Sequence, residues 1–228
     1  MSFLAARRLA WQEKHSYCRS RKCKVPGMDE VPRTAKPVFG VILAAGRSRR
    51  FGGTKLLADL GGRPLVLHAA AAAFDAFGEN TLLVTGHDSV RVAAAARGSC
   101  GAIVDNPRYD DGLGTSLALA VSTLRDRAGA VVVLLADQPF VPAAHLRELA
   151  NTWNGRADEI VATRYGETEG VPAGLYPMLE ALDGDAGARR LFTDPRFRVR
   201  RVPLASASID VDTADDLATA KQRLADQA

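Results

Sequence analysis

The sequence is poor in residues that announce a chemistry on their own. Only three cysteines occur in 228 residues, Cys18, Cys23 and Cys100, which is too few for a disulfide framework in a chain of this length. Cys18 and Cys23 have no matching second pair and no histidine cluster nearby, so a zinc site would lack ligands. The four histidines, His15, His68, His87 and His145, are scattered, and none pairs with a serine or cysteine in a nucleophile pattern. A covalent intermediate is therefore not expected. No apolar run approaches the ~20 residues that a membrane span requires, and the chain reads as a cytoplasmic globular protein.

Excess positive charge is also missing from the part that could use it. The net charge is +4, yet residues 1–36 hold nine of the 30 basic side chains and only three acids. Residues 37–228 then carry 21 basic against 23 acidic side chains, a mildly acidic body without a nucleic-acid footprint. The leader lacks the apolar core of a secretory signal, and its serine content is low for a transit peptide. It reads as a disordered tail or an over-extended start ahead of Met28. Pro26, Gly27, Pro32 and Pro37 mark a linker, which gives a leader over 1–37 and one domain over 38–228.

From Val38 onward apolar runs alternate with helical periodicity. Val38 to Ala44 and Ala130 to Ala136 read as parallel strands buried on both faces. Shorter strands are expected at 81–85, 102–105, 160–164, 171–176 and 198–203, with an extended piece over 208–211. Helices are expected from Pro64 to about Phe77, from Asp88 or Ser89 to about Arg97, and over 116–127, 142–153, 186–192 and 214–225. Repeated βα units imply a single-domain α/β fold, a mostly parallel twisted sheet with helices on both faces and right-handed crossovers. Ligands in such sheets bind beyond the carboxyl ends of strands. That rule selects the loop after Ala44 and the position of Asp137.

The first of these is rich in small residues and cations: Leu43, Ala44, Ala45, Gly46, Arg47, Ser48, Arg49, Arg50, Phe51, Gly52, Gly53, Thr54 and Lys55. Glycines let backbone N–H groups approach a polyphosphate, and Arg50 and Lys55 add charge for a leaving pyrophosphate. The spacing fits neither a Walker loop nor a dinucleotide fingerprint, and a basic surface turn is the plain alternative. The second position, Asp137-Gln138-Pro139, puts a carboxylate at a central strand end, where it could hold Mg²⁺ with bridging phosphate oxygens or simply cap the next helix. A third group, Asn106-Pro107 with Gly112, Gly114 and Ser116, offers N–H groups at a helix start, for an anion or a base edge, or forms an ordinary turn and cap.

Gly46, Ser48, Arg50, Gly52 and Lys55 fall in register with L-A-[AG]-G-x-S-x-R-x-G-x-x-K, so the chain resembles the nucleotidyltransferases related to molybdenum cofactor guanylyl- and cytidylyltransferases. The resemblance covers about residues 38–225 and implies a Rossmann-like fold with Asp137 as metal ligand. It also implies nucleotide contacts through Leu43, Ala44, Ala45, Gly46, Ser48, Gly52, Gly112, Gly114 and Ser116. Leu-Ala-Ala-Gly and Asp137-Gln138 are similar to the cytidylyl branch. Gly184, Asp185 and Arg189 resemble an acceptor-side G-D-x-G-A-R element. Asp210 is the implied second metal ligand with Asp212 as runner-up, while Thr213 and Asp216 approximate a capping box. The expected reaction is Mg²⁺-dependent transfer of CMP from CTP to molybdopterin, with a client molybdoenzyme as a further partner. A sugar- or polyol-phosphate nucleotidyltransferase and a non-catalytic pterin-binding chaperone are the alternatives.

Overall fold

The computed structural model describes residues 36–156, 158–165, 168–169, 195, 197–204 and 210–226. The opening apolar run forms β1 (Val38–Ala44) at the centre of a four-stranded parallel sheet. A hairpin follows, β2 (Asp59–Leu60) and β3 (Arg63–Pro64), then α1 (Leu65–Phe77), β4 (Thr81–Thr85), α2 (Ser89–Ala95) and β5 (Ala102–Asp105). Helix α3 (Leu113–Leu124) leads to β6 (Ala130–Leu135), and α4 (Ala143–Thr152) to a second sheet. That sheet joins β7 (Glu159–Tyr165) to β8 (Thr168–Glu169), antiparallel, and to β9 (Arg198–Pro203), parallel. Helix α5 (Ala214–Ala225) follows.

The order β5-β4-β1-β6 reverses direction at β1, and the reversal explains which helix covers which face. Alternate side chains of a strand point to opposite faces. Ile42 and Ala44 pack with Leu65, Val66, Ala69 and Ala73 of α1, Val92 of α2 and Leu146 of α4. Phe39, Val41 and Leu43 pack with Leu117, Ala120, Val121 and Leu124 of α3. The steps β1 to β4 and β4 to β5 move one way across the sheet, and the step from β5 to β6 moves back. Right-handed crossovers then require opposite faces for the two directions, as found. Both cores continue into the second sheet: Val161 and Val202 join one, and Ile160 and Ala162, with Phe197 just before β9, the other. The expected α/β architecture is therefore present, with both faces of the central strands buried.

Several local differences separate this fold from the sequence reading. Helix α1 starts at Leu65, with Pro64 in β3 as its N-cap. Helix α3 starts at Leu113, three residues early, with Gly112 as its N-cap and Ser116 inside its first turn. Asp88 precedes α2 in a left-handed conformation (φ 57°) and does not cap it. The β2–β3 hairpin went unread, although Gly61-Gly62, with φ of 61° and 80°, is a recognised two-residue turn signal. The expected strand over 171–176 and helix over 186–192 lie outside the described residues, as do residues 208–209. Among the described residues no helix is long and apolar enough to cross a membrane.

Candidate active site

The chain leaves the central sheet at Ala44 and returns to helical geometry at a 3-10 turn, Lys55–Leu57. Between them runs the glycine-rich loop. Ser48 adopts a positive φ of 53°, and the Phe51 N–H donates to the Ser48 carbonyl (3.0 Å). Leu56, 4% exposed, anchors the end of the loop in the core. The preceding residue, Lys55, is drawn in with it and is only 8% exposed.

Strand pairing decides what the loop faces. Leu43 lies opposite Leu135, and the Ala136 N–H donates to the Leu43 carbonyl (3.1 Å). Asp137 therefore emerges beside the start of the loop. The Lys55 ammonium donates to Asp137 Oδ2 (2.7 Å) and to Asp212 Oδ1 (2.8 Å). Arg50 donates to Asp212 Oδ2 (2.7 Å). Burial alone would lower the Lys55 pKa, but Asp137 and then Asp212 outweigh it and hold it above the ordinary lysine value. Lys55 is thus a fixed cation. Asp137 Oδ1 is buried with no hydrogen-bond partner, and so is Ser48 Oγ.

Asp212 reaches the site because the segment before α5 is tied to β6. The Val211 N–H donates to the Asp137 carbonyl (3.0 Å). The capping box expected at Thr213 is present. Asp216 Oδ2 accepts from the Thr213 N–H (2.8 Å) and hydroxyl (2.8 Å), and also from the Asp212 N–H (3.1 Å). The two candidate acids differ in their surroundings. Asp212 lines the cleft, whereas Asp210 accepts from Gln138 Nε2 (3.1 Å). Desolvation, with Asp137 and Asp212 nearby, pushes the Asp210 pKa up from its usual value.

The opposite wall is the start of α3. Asn106 is 3% exposed; its amide donates to Thr115 Oγ1 (3.0 Å) and Ser116 Oγ (2.9 Å), and its oxygen accepts from the Arg108 N–H (2.9 Å). This network holds Tyr109, Asp110 and Gly112 at the rim. Arg47 crosses from the glycine-rich loop to pair with Asp110, its guanidinium 5.5 Å from the centre of the Tyr109 ring.

One cleft of about 390 Å³ results. Leu43, Ala44, Ala45, Gly46, Ser48, Arg50, Lys55, Gly112, Ser116 and Asp137 all line it. Gly52 is exposed on the loop and Gly114 is buried in α3, and neither contributes to the lining. Gly184, Asp185 and Arg189 lie outside the described residues. Arg47, Arg49, Tyr109 and Asp110 line the cleft unforeseen. The two arginines were legible as cations of the same loop, while the other pair carried no signal of its own.

A family model described as a MobA-like NTP transferase domain matches residues 40–201. Rv0371c from Mycobacterium tuberculosis H37Rv is 31% identical, with a TM-score of 0.70 over 83% of this chain and 99% of that one. A structure of Rv0371c in complex with manganese, 29% identical by its own alignment, superposes with a TM-score of 0.66 over 81% of this chain and 98% of that one. A nucleotidyl transferase from Methanothermobacter thermautotrophicus (Mth528) shares the fold at 22% identity, with a TM-score of 0.73 over 84% of this chain and 99% of that one. The bifunctional protein GlmU of Paracoccus denitrificans is 33% identical over 168 residues, which are 69% of this chain but 37% of that protein. The chain thus spans well under half the length of the curated relatives it matches.

Proposed function

Since the chain belongs to the MobA-like NTP transferase domain family, we propose that its cleft moves a nucleoside monophosphate from an NTP to a phosphorylated small molecule and releases pyrophosphate. The observation that carries this reading is the Lys55 bridge, a buried cation held between Asp137 and Asp212 at the mouth of a glycine-rich loop.

An acceptor phosphate is already ionised, so the reaction needs no strong base. Positioning and charge neutralisation suffice. An acceptor oxygen attacks the α-phosphorus in line as the bond to pyrophosphate breaks. Arg50 and Lys55 stabilise the charge growing on the leaving group, and the backbone N–H groups from Ala45 to Ser48 approach the same oxygens. Ser116 and Gly112 orient the base or the acceptor.

The residues fit a divalent cation. Asp137 Oδ1 is a buried carboxylate oxygen without a protein partner, and Asp212 stands across Lys55 from it. Magnesium characteristically uses one or two carboxylates and completes its shell with phosphates and water. In our reading Asp137 and Asp212 hold Mg²⁺, which when bound supplies charge neutralisation to the phosphate oxygens.

For the base and acceptor, Leu43-Ala44-Ala45-Gly46 and Asp137-Gln138-Pro139 favour CTP and molybdopterin, with the product passed to a client molybdoenzyme. Pyrophosphate release assayed with each of the four NTPs and purified molybdopterin tests the reading. CTP should be used fastest, and Lys55→Ala should abolish release; near-normal turnover in that variant sinks the transfer reading. Equal use of GTP removes the cytidylyl preference, and faster turnover with sugar or polyol phosphates moves the acceptor. Pterin binding without release would make the chain a carrier.

A further inference from the structure

A single short turn holds both ends of the glycine-rich loop. At the start, the His87 N–H donates to the Ala45 carbonyl (3.0 Å). At the finish, Thr54 Oγ1 donates to Asp88 Oδ2 (2.7 Å). The loop between is unsupported by packing at its glycines: a Cβ on Gly46, Gly52 or Gly53 would meet nothing within 4 Å. The turn itself is pressed against the loop. A Cβ on Gly86 would lie 2.8 Å from Ala45 Cβ and 2.6 Å from Tyr109 Cβ.

Asp88 is unusual in two respects. It is one of two non-glycine residues with positive φ among the described residues. It also stands at the N-cap of α2, the place where a carboxylate ordinarily caps, yet makes no cap bond. Its carboxylate is directed instead to Thr54 and to the exposed Arg91 (2.9 Å). Sparsely populated backbone conformations persist where their surroundings hold them, and they gather at functional sites.

Thr54 is in turn the N-cap of the 3-10 turn that begins with Lys55, and the Leu57 N–H donates to its carbonyl (3.0 Å). We propose that Asp88 is a positioning residue for nucleotidyl transfer: through Thr54 it fixes the end of the glycine-rich loop, and so sets Lys55 between Asp137 and Asp212. The inference rests on the transfer reading for its kinetic consequence, while its structural content is independent of it. Asp88 acts at one remove and touches no substrate. A small displacement of a group that neutralises developing charge is felt in the rate more than in binding.

The test uses Thr54→Val, Asp88→Ala and the double variant in the full chain. Each single substitution should lower kcat about tenfold and leave KM for the nucleotide within about twofold. The double variant should be no slower than the singles, because both remove the same Thr54–Asp88 hydrogen bond, and the other partner of Asp88, the exposed Arg91, does not belong to the loop. Thr54→Ser should restore the rate. A helix-support role would lower Tm and leave kcat unchanged. An unaltered kcat in Thr54→Val, additive losses in the double variant, or failure of Thr54→Ser to recover the rate would each overturn the proposal. Thr54→Val keeps the side-chain shape and carries the test if Asp88→Ala does not fold. Hydrogen exchange over residues 46–57 reads the same tether without turnover: faster exchange confined to that segment is expected in both variants, and unchanged exchange refutes it. Absence of pyrophosphate release from the wild-type chain would instead refute the transfer reading alone.

Discussion

The two walls of the cleft are held in place by different physics. The glycine-rich wall is charged, and its cations reach across to acids on other elements: Arg47 to Asp110, Arg50 to Asp212, Lys55 to Asp137 and Asp212. The α3 wall is neutral inside, built on the buried Asn106 and its bonds to Thr115 and Ser116. A cation that loses a carboxylate can take a phosphate in exchange with little change in its surroundings. A buried neutral amide has no such substitute, and breaking its bonds leaves groups unsatisfied at a cost of about 1–3 kcal/mol. The first arrangement suits a polyanion that must arrive and leave, the second a surface whose shape must stay constant.

Substitutions can break that contrast, and the largest effect should come from the charged wall. Asp137→Asn preserves shape and removes the charge beside Lys55, so turnover should fall at least ~100-fold, given what a single electrostatic contact contributes in a water-excluded site. Tm should move by only a few degrees, and a large loss of stability with near-normal turnover would reverse the assignment. Asn106→Ala should do the opposite. Its loss of about 2 kcal/mol corresponds to a fall in Tm of about 4–8 °C for a chain of this size, with turnover reduced only a few-fold. A thermal scan and a rate measurement on the two variants together decide whether the walls divide their work in this way.

The smallest effect sharpens the same distinction at a group that can change its charge. His145 is 3% exposed and bonded to Thr163 Oγ1 (2.9 Å). Burial lowers its pKa, and Glu148 recovers part of the shift. Because the folded value lies below the unfolded one, the unfolded chain binds the proton more readily. The neutral ring's contribution is therefore full above the unfolded value of about 6.5 and is lost as pH falls below it. His145→Gln should flatten that part of the stability profile. An unchanged slope just below about pH 6.5 would show that another group governs it.

Much of this was legible in the sequence, for reasons that also explain the rest. The parallel sheet followed from two apolar runs too continuous for a half-exposed strand, and Lys55 and Asp137 from their places after those runs. Asp210 and Asp212 could not be ordered in the same way. They lie two residues apart in an extended piece, so alternation puts them on one side. What separates them is the capping box, which binds the Asp212 N–H and fixes its carboxylate toward Lys55. The start of α3 differs because Gly112 and Gly114 read as loop, whereas tertiary contacts through Asn106 draw the helix back over Gly114 to Leu113, with Gly112 as its N-cap. The sequence leaves Asp88 and Ser89 as equal candidates for the start of α2, because the side-chain partner of Asp88, Thr54, is 34 residues away, beyond any local pattern.

The bond from the Val211 N–H to the Asp137 carbonyl has a consequence for biosynthesis. A ribosome delivers the glycine-rich loop first and Asp137 some 80 residues later, but the acid that completes the Lys55 bridge comes only after a further 75 or so. A nascent chain that has folded through β6 already displays the cations, yet lacks their second counter-charge and the helix that steadies it. Translation therefore assembles this centre late, and a chain cut short before residue 211 would present a basic cleft that has never been closed.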